Sequence, residues 1–212
     1  MSDLKVTIIP VTPFQQNCAL IWNAETLKGA VIDPGGDIQK IMKAVKSAGV
    51  TVETIFLTHG HLDHAAGANE LAELIGARVV GPQKGDQFLL DSLPEQAIRF
   101  GVHGLKAVKP DQWLDEGDNI SIGGESFEVL HCPGHTPGHV VFVSRHLNFG
   151  IFGDVLFRNS IGRTDFEYGN HEELLAAISG KIMVLPDDFC FICGHGESST
   201  IGAERKSNPF IR

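Results

Sequence analysis

Short apolar runs, separated by glycine, proline and other turn residues, dominate the chain and predict many short β-strands. Strands are expected at residues 4–9, 18–22, 29–32, 51–57, 78–80, 119–122, 126–130, 140–143, 148–152 and 188–193. Gly123-Gly124 lies between two of these strands, which predicts a hairpin. Because helical patterns alternate with the early strands, the chain is expected to belong to the α/β (α+β) class.

Helices are predicted where apolar residues recur at helical spacing. One such stripe begins after Asp37, which is expected to cap that helix, and consists of Ile38, Ile41, Met42 and Val45. Further helices are expected at residues 65–75, 84–90 and 171–178. The rest of the segment 84–110 shows no clear period, so an irregular excursion is expected there.

The composition is typical of a folded protein of ordinary size. The chain has 212 residues, 42% of them hydrophobic, so residues 1–212 are expected to form a single domain with one substantial core. Only 20% of the residues are charged and 13 are Phe, which argues against disorder. The formal net charge of -9, with no run of Lys or Arg, disfavours a nucleic-acid partner.

Neither a membrane segment nor a leader is predicted. No apolar stretch is long enough to cross a bilayer, and the start of the chain, Met1 to Lys5, lacks the profile of a signal peptide. A cytoplasmic protein with a small-molecule partner is therefore expected, as a monomer or small homo-oligomer. Its four cysteines are expected to be reduced, and Cys190 and Cys193 to be buried structural thiols.

Three imidazoles and one carboxylate fall within six residues directly after the predicted strand 51–57, in THGHLDH at residues 58–64. His59 and His61 are two residues apart, so they face the same side of an extended segment. Asp63 and His64 follow at the turn into a helix and can point elsewhere. Such spacing suits two adjacent metal ions, and these ligand types suit zinc, iron or manganese. A solvated polar loop is the alternative interpretation.

Three further candidate ligands also follow predicted strands, where side chains leave the core and can converge. His135 lies in HCPGHTPGH, residues 131–139, a loop that Pro and Gly make rigid. Asp154 comes after the strand 148–152 and His195 after the strand 188–193, although each alone is more typical of a turn.

Together these residues predict a pair of metal sites. One ion is expected to be held by His59, His61 and His135. The other is expected to be held by Asp63, His64 and His195, and Asp154 is expected to bridge the two ions.

The motifs HxHxDH, GHT, a strand-end Asp and GH, in this order, resemble those of the metallo-β-lactamase superfamily. The finer pattern of THGHLDHAAG, HCPGHTPGHV, GDVLF, GRTDF and a closing NPF is similar to the short glyoxalase II-like hydrolases. This resemblance extends from Pro10 to Phe210. It implies an αββα four-layer sandwich, with two sheets face to face, helices outside and metals at one sheet edge. It also implies that Asp33 is structural and not a metal ligand.

The resemblance implies a metal-dependent thioester hydrolase that converts S-lactoylglutathione to glutathione and D-lactate. Two divalent ions, zinc first and iron or manganese as alternatives, would hold a bridging water and lower its pKa to give a hydroxide nucleophile. Asp63 and Asp154 would be catalytic as well as ligating. The chain has no GxSxG motif, which agrees with a mechanism that needs no serine nucleophile.

The C-terminal end of the chain departs from the longer members of this group. Longer glyoxalases II continue after the last ligand into a helical domain that binds glutathione, whereas here seventeen residues follow His195. Arg205 and Lys206 are candidates for a reduced version of the glutathione contact. A solvated tail is the alternative.

The sequence also predicts roles for His139 and for the pair Arg163 and Asp165, which lie near the candidate ligands in the chain. His139 is expected either to orient a ligand such as Asp63 or Asp154, or to be a hydrogen-bonded core imidazole. Arg163 and Asp165 in GRTDF are expected to form a structural ion pair near the site, with substrate contact as the alternative.

Other activities on the same fold stay open. A persulfide dioxygenase would bind one iron through two His and one Asp, and His139 argues against it because such enzymes commonly have Cys there. A lactonase is a further alternative, while a secreted β-lactamase is disfavoured by the start of the chain. A metal-stabilised binding module would need an incomplete ligand set, and RNA processing is disfavoured by the net charge of -9.

Overall fold

Two β-sheets pack face to face, and helices cover their outer faces, in the computed structural model of this chain. The structure describes residues 3–211. Met1 and Ser2, which begin the segment considered for a signal peptide, and Arg212 lie outside the described residues. Within residues 3–211, no helix combines the length and the apolar character needed to span a membrane.

The N-terminal part of the chain forms the first sheet. In spatial order its strands are β1 (Leu4–Val11), β2 (Gln16–Asn23), β3 (Lys28–Ile32), β4 (Thr51–Phe56) and β5 (Arg78–Val80). The first three are antiparallel neighbours, whereas β4 runs parallel to both β3 and β5. The carboxyl ends of β3 and β4 therefore lie at the same edge of the sheet.

The second sheet is built from the C-terminal part. Its strands in chain order are β6 (Asn119–Ile122), β7 (Glu125–His131), β8 (Val140–Ser144), β9 (Phe149–Gly153), β12 (Cys190–Cys193) and β13 (Ser199–Thr200), and β10 (Leu156–Phe157) with β11 (Ser160–Ile161) forms a separate pair. The spatial order is β13-β12-β9-β8-β7-β6. Because β7 and β9 are antiparallel to β8 and β12 is parallel to β9, the carboxyl ends of β7, β9 and β12 meet at one edge.

Helices connect and cover these sheets. Among residues 3–211 they are α1 (Ile38–Ala48), α2 (Leu62–Ala65), α3 (Ala68–Ile75), α4 (Gln87–Asp91), α5 (Leu93–Arg99), α6 (His171–Ala177) and α7 (Ile201–Ser207). A 3₁₀ turn, Lys84–Asp86, precedes α4, and a π-helical turn, Ile178–Ile182, follows α6.

Three apolar clusters separate the layers. Phe56 of the first sheet packs with Phe127 and Phe142 of the second in the central cluster. The helices α1, α3 and α5 cover the first sheet, for example through Ile41, and α6 covers the second through Leu174. Helix, sheet, sheet and helix therefore follow one another, which confirms the predicted αββα sandwich.

All ten predicted strands form, with shifts at their ends, and the hairpin β6–β7 turns at Gly123-Gly124, where both φ angles are positive. The short strands β10, β11 and β13 and the helix α7 were not predicted from the sequence, and the helix α5 lies where an irregular excursion was expected. Their apolar runs are too short to show a period, so their pairing depends on contacts with distant residues.

Three local predictions differ from the structure at least in part. The helix expected at 65–75 is interrupted at Gly67, whose N–H donates to Pro34 O at 2.9 Å and whose backbone packs too closely there for a Cβ. Asp37 occupies the N-cap position of α1 as expected, but it has a φ of 50° and its side chain makes no capping hydrogen bond, because its carboxylate instead accepts a hydrogen bond from Thr12 N at 2.8 Å. Cys190 is exposed, while Cys193 is buried as expected.

Candidate metal centre

One group of three imidazoles converges at the sheet edge. Two belong to the segment after β4, His59 and His61, and the third is His135 from the loop after β7. His59 Nε2 and His135 Nε2 lie 3.0 and 2.9 Å from His61 Nδ1. The three nitrogen atoms are all within 4.8 Å of one another, so they form a compact donor set for one cation.

A second group, of one carboxylate and two imidazoles, lies beside the first. Asp63 Oδ2 is 3.8 Å from His64 Nε2 and 3.2 Å from His195 Nε2. These three atoms also lie within 4.8 Å of one another. The chain therefore brings together two separate donor sets of the kind expected from the sequence.

The carboxylate of Asp154, at the end of β9, faces both groups. Its Oδ1 lies 3.4 Å from His64 Nε2, while its Oδ2 lies 3.5 Å from His135 Nε2 and 3.7 Å from His195 Nε2. One carboxylate thus has an oxygen near each donor set. This position suits the bridging role expected from the sequence.

Two buried polar atoms at this point test whether a metal fits. Among the described residues, His64 Nε2 and Asp154 Oδ1 are buried and have no hydrogen-bond partner. An unsatisfied buried polar atom costs about 1–3 kcal/mol, so such atoms usually have a partner that compensates them. Imidazole nitrogen and carboxylate oxygen atoms that converge in this way are suitable ligands for divalent cations. The residues present therefore fit the divalent metal ions expected from the sequence.

Each of the five imidazoles is held from behind by a hydrogen bond at its outward nitrogen. The pairs are His59 Nδ1 with Thr58 Oγ1 (3.0 Å), His61 Nε2 with Tyr168 OH (2.8 Å), His64 Nδ1 with Asp33 Oδ2 (2.9 Å), His135 Nδ1 with Arg163 O (2.8 Å) and His195 Nδ1 with Phe14 O (3.2 Å). Such contacts fix the ring orientation and leave the inner nitrogen free to offer its lone pair to a cation.

Asp33 occupies a supporting position. It follows β3 with a φ of 52° and lies next to the end of β4, where its carboxylate accepts hydrogen bonds from Thr58 N at 2.8 Å and Thr58 Oγ1 at 2.6 Å. The same carboxylate holds His64 Nδ1. Although Asp33, His59 and His64 are close enough to form a donor group, these bonds occupy both oxygens of Asp33. Its geometry therefore suits the structural role expected of it.

The electrostatics of the two donor sets differ. Burial lowers the pKa of His59 and His61 well below the usual value, and the pKa of His135 is also lowered, mainly by burial. Burial would lower the pKa of His64 too, but the carboxylates of Asp154, Asp63 and Asp33 raise it to about 9. The first set therefore consists of neutral imidazoles, and the second lies in a field of negative charge that favours a cation.

His139 lies directly behind the site. It is fully buried, stacks on His59 with ring centroids 4.6 Å apart, and accepts a hydrogen bond from Asp154 N at 3.0 Å. A Cβ on Gly153, which has a φ of 49°, would lie 2.8 Å from the His139 ring. His139 therefore contacts the backbone of Asp154, in a position that suits a group that orients this residue, while its Nδ1 is buried without a hydrogen-bond partner among the described residues.

Asp86 is a buried carboxylate that the sequence did not indicate. It accepts hydrogen bonds from Gly60 N at 2.8 Å, from Thr136 Oγ1 at 2.7 Å and from Gly138 N. Burial raises its pKa to about 6, although these hydrogen bonds act in the opposite direction. Asp86 thereby links the loop of His59 and His61 to the loop of His135. No motif around residue 86 marks this role.

The candidate substrate contacts have other partners in this structure. Arg205 lies on α7 and donates to Met183 O at 2.8 Å and Leu185 O at 3.0 Å, and it pairs with Asp187. Its guanidinium thus fastens α7 to the preceding loop, and α7 takes the place of the solvated tail considered as the alternative. Lys206 is exposed on the same helix.

The expected ion pair between Arg163 and Asp165 is present. Arg163 Nε and Nη2 donate to the two carboxylate oxygens at 2.6 and 2.7 Å, and the guanidinium lies 4.5 Å from the centroid of the Phe166 ring. Since Arg163 O also accepts from His135, this pair holds the segment that supports a candidate ligand.

Comparison with known proteins agrees with this geometry. The sequence pattern of the metallo-β-lactamase superfamily matches residues 11–195, from the end of β1 to the last candidate ligand. The chain belongs to the metallo-β-lactamase superfamily. Family and fold predictions are thereby confirmed, and so is the prediction of a hydrolytic enzyme with divalent metal ions.

Several individual proteins of similar length resemble this chain. The chain is similar to hydroxyacylglutathione hydrolase GloC of Haemophilus influenzae, with 45% identity over 209 residues that cover 98% of each chain. Among solved structures it is similar to the B3 metallo-β-lactamase BLEG-1, with 33% identity and a TM-score of 0.89. The match covers 98% of this chain and 99% of the BLEG-1 chain. It is also similar to TTHA1623, solved in a di-iron-bound form, with 31% identity and a TM-score of 0.85. This match covers 97% of this chain and 100% of the TTHA1623 chain.

Proposed function

We propose that this protein is a binuclear thioester hydrolase of the glyoxalase II type, acting on S-lactoylglutathione to give glutathione and D-lactate. The observation that carries the proposal is the carboxylate of Asp154, with one oxygen 3.4 Å from His64 Nε2 and the other 3.5 Å from His135 Nε2. A site for a single ion needs no carboxylate that faces two donor sets. Similarity to GloC along 98% of the chain supports the choice of a hydroxyacylglutathione as substrate.

The residues that would hold the ions are the seven described above. His59, His61 and His135 are assigned to one ion, Asp63, His64 and His195 to the other, and Asp154 to both. When bound, divalent ions supply an activated water near neutral pH and stabilise negative charge on the substrate oxygen. Zinc is the proposed metal, with iron and manganese as alternatives, because His and Asp donors accept all three.

The residues of the chain then position the reacting groups. Asp63 and Asp154 are the carboxylates at the centre and can accept a proton from water, which is the catalytic role proposed for them. The five imidazoles, fixed by their outward hydrogen bonds, hold the inner nitrogens in place. The leaving group of a thioester is a thiolate, which needs little protonation, so no additional acid is required.

Thiol release from S-lactoylglutathione tests this function. The purified protein, loaded in turn with zinc, iron and manganese, should release glutathione with at least one of these metals. His135→Ala should abolish release, whereas His146→Ala, at an exposed position in a turn, should not affect it. Inactivity with every metal, together with oxygen consumption on glutathione persulfide, would instead favour the dioxygenase alternative.

A further inference from the structure

A large cavity adjoins the second donor set. It has a volume of about 420 Å³ and is lined by residues 12–14 after β1, by the segment 35–38, by the first two residues of α2, by residues 66, 67 and 70, and by Ala97, Phe100, Val102 and Leu105. Asp63, a candidate ligand, forms part of its wall. A Cβ on Gly35 would lie 1.5 Å from Asp63 O, so the floor of the cavity packs directly against this ligand.

A second part of the cavity lining also contacts a candidate ligand. Phe14 lines the cavity, and its carbonyl oxygen lies 3.2 Å from His195 Nδ1. Its ring packs edge-on against Phe100, with centroids 5.5 Å apart. The cavity lining therefore includes one candidate ligand, Asp63, together with Phe14, which contacts a second candidate ligand, His195, and forms a ring pair with Phe100.

The surface of this cavity is largely apolar. Phe14 is 47% exposed and Phe100 is 61% exposed, and Leu62, Val102 and Leu105 add aliphatic surface. Apolar side chains that stay exposed together beside a reactive centre typically mark a binding site for an apolar group.

The charges around the cavity disfavour binding of the glutathione half of the substrate there. Among the described residues that line it, the charged ones are Asp37, Asp63 and Glu70, and because Asp63 is assigned to a metal ion, the carboxylates that remain to set the charge of the wall are Asp37 and Glu70. Glutathione carries two carboxylates, which would be repelled by this wall and would find no cation there. The acyl half of a glutathione thioester has no such charge and therefore fits the cavity.

We propose that this cavity is the acyl subsite of the enzyme and that it admits apolar acyl groups longer than lactoyl. The proposal rests on the thioester hydrolase function proposed above. In the reaction, the oxygen of water bonds to the acyl carbon and the carbon–sulfur bond breaks. Sulfur leaves with the electron pair and takes a proton, so free acid and glutathione are formed.

A series of S-acylglutathiones tests the acyl subsite directly. The metal-loaded enzyme is assayed with the lactoyl, butanoyl, hexanoyl and octanoyl thioesters, and kcat/KM is measured for each. We expect kcat/KM to rise by about fourfold for each methylene that enters the cavity. A flat or falling series with good lactoyl turnover would overturn the acyl subsite and leave the proposed hydrolase in place.

A matched pair of variants locates the effect. Phe100→Ala removes cavity wall and should lower the octanoyl-to-lactoyl ratio of kcat/KM by about tenfold. Ile98→Ala is the control, because Ile98 is 57% exposed near the end of α5, two residues before Phe100, but does not line the cavity. Its ratio should equal that of the wild type. Equal losses in both variants would contradict the assignment.

Two further arms separate the possible failures. Val102→Ala, at a second exposed position on the cavity wall, should lower the same ratio, which guards against a folding defect in Phe100→Ala. A second series consists of lactoyl thioesters of increasingly apolar thiols. If kcat/KM rises along this series but not along the S-acylglutathione series, the cavity holds the thiol half and the proposal is wrong. If no thioester is hydrolysed, both this proposal and the proposed function fail.

Discussion

Asp154 is the residue on which the two donor sets depend. Its carboxylate faces His64, His135 and His195, and one of its oxygens is a buried atom without a hydrogen-bond partner among the described residues. Asp154→Ala should therefore abolish turnover and also lower the bound metal, since one carboxylate serves both ions. Elemental analysis and thiol release, measured on the same preparation, check this. Wild-type metal content in an active variant would contradict the role.

Tyr168 is the only tyrosine in the chain and lies behind His61. Its hydroxyl is 2.8 Å from His61 Nε2, and its ring stacks on Phe166 with centroids 5.3 Å apart. Tyr168→Phe keeps the stacked ring but removes the hydroxyl acceptor, so we expect metal affinity to fall by about tenfold with an unchanged fold. Titration with a competing chelator, alongside thermal unfolding, measures both effects. An unchanged affinity would show that the hydroxyl does not orient His61.

The sequence indicated the candidate ligands but only some of the groups that hold them. His59, His61 and Asp63 lie in one short motif, which the residue types alone make visible. Tyr168, by contrast, is 107 positions from His61, so their contact depends on how distant loops fold against each other. Asp86 shows the same limit, because its partners Gly60 and Thr136 come from two separate loops.

At the level of elements, the two loops that carry the first donor set are joined through the 3₁₀ turn before α4. Asp86→Ala leaves the donors Gly60 N, Gly138 N and Thr136 Oγ1 without their buried acceptor. We expect a loss of about 2 kcal/mol in the free energy of unfolding, because part of the cost is offset by removing a buried carboxyl. Asp91→Ala, an exposed carboxylate at the end of α4, is the control and should change stability little. Urea denaturation of both variants decides whether the link exists.

Elements with a clear period were predictable, and elements set by their surroundings were not. The amphipathic stripe of α1 buries Ile38, Ile41 and Val45 as expected. The break at Gly67 was not visible, because it results from the approach of Pro34 O from another segment. Helix α7 was also missed, and its position depends on the contacts of Arg205 and of the buried Glu204, which bonds to Asn159 N.

For the whole molecule, the metal centre joins the two sheets. Its candidate ligands follow β4 of the first sheet and β7, β9 and β12 of the second, so a bound cation would connect the two halves of the sandwich. Removing metal with a chelator should therefore lower Tm by several degrees, and returning the metal should restore it. Differential scanning calorimetry follows both steps. A Tm that does not respond to chelation would show that the ions do not stabilise the fold.

Counting the metal ions bound per chain tests the central claim most directly, since everything above depends on two donor sets that share Asp154. Elemental analysis of the purified protein, with native mass spectrometry of the same sample, should give two ions per wild-type chain and fewer in the Asp154→Ala variant. A saturated wild-type protein with a single ion, unaffected by the loss of Asp154, would contradict the account.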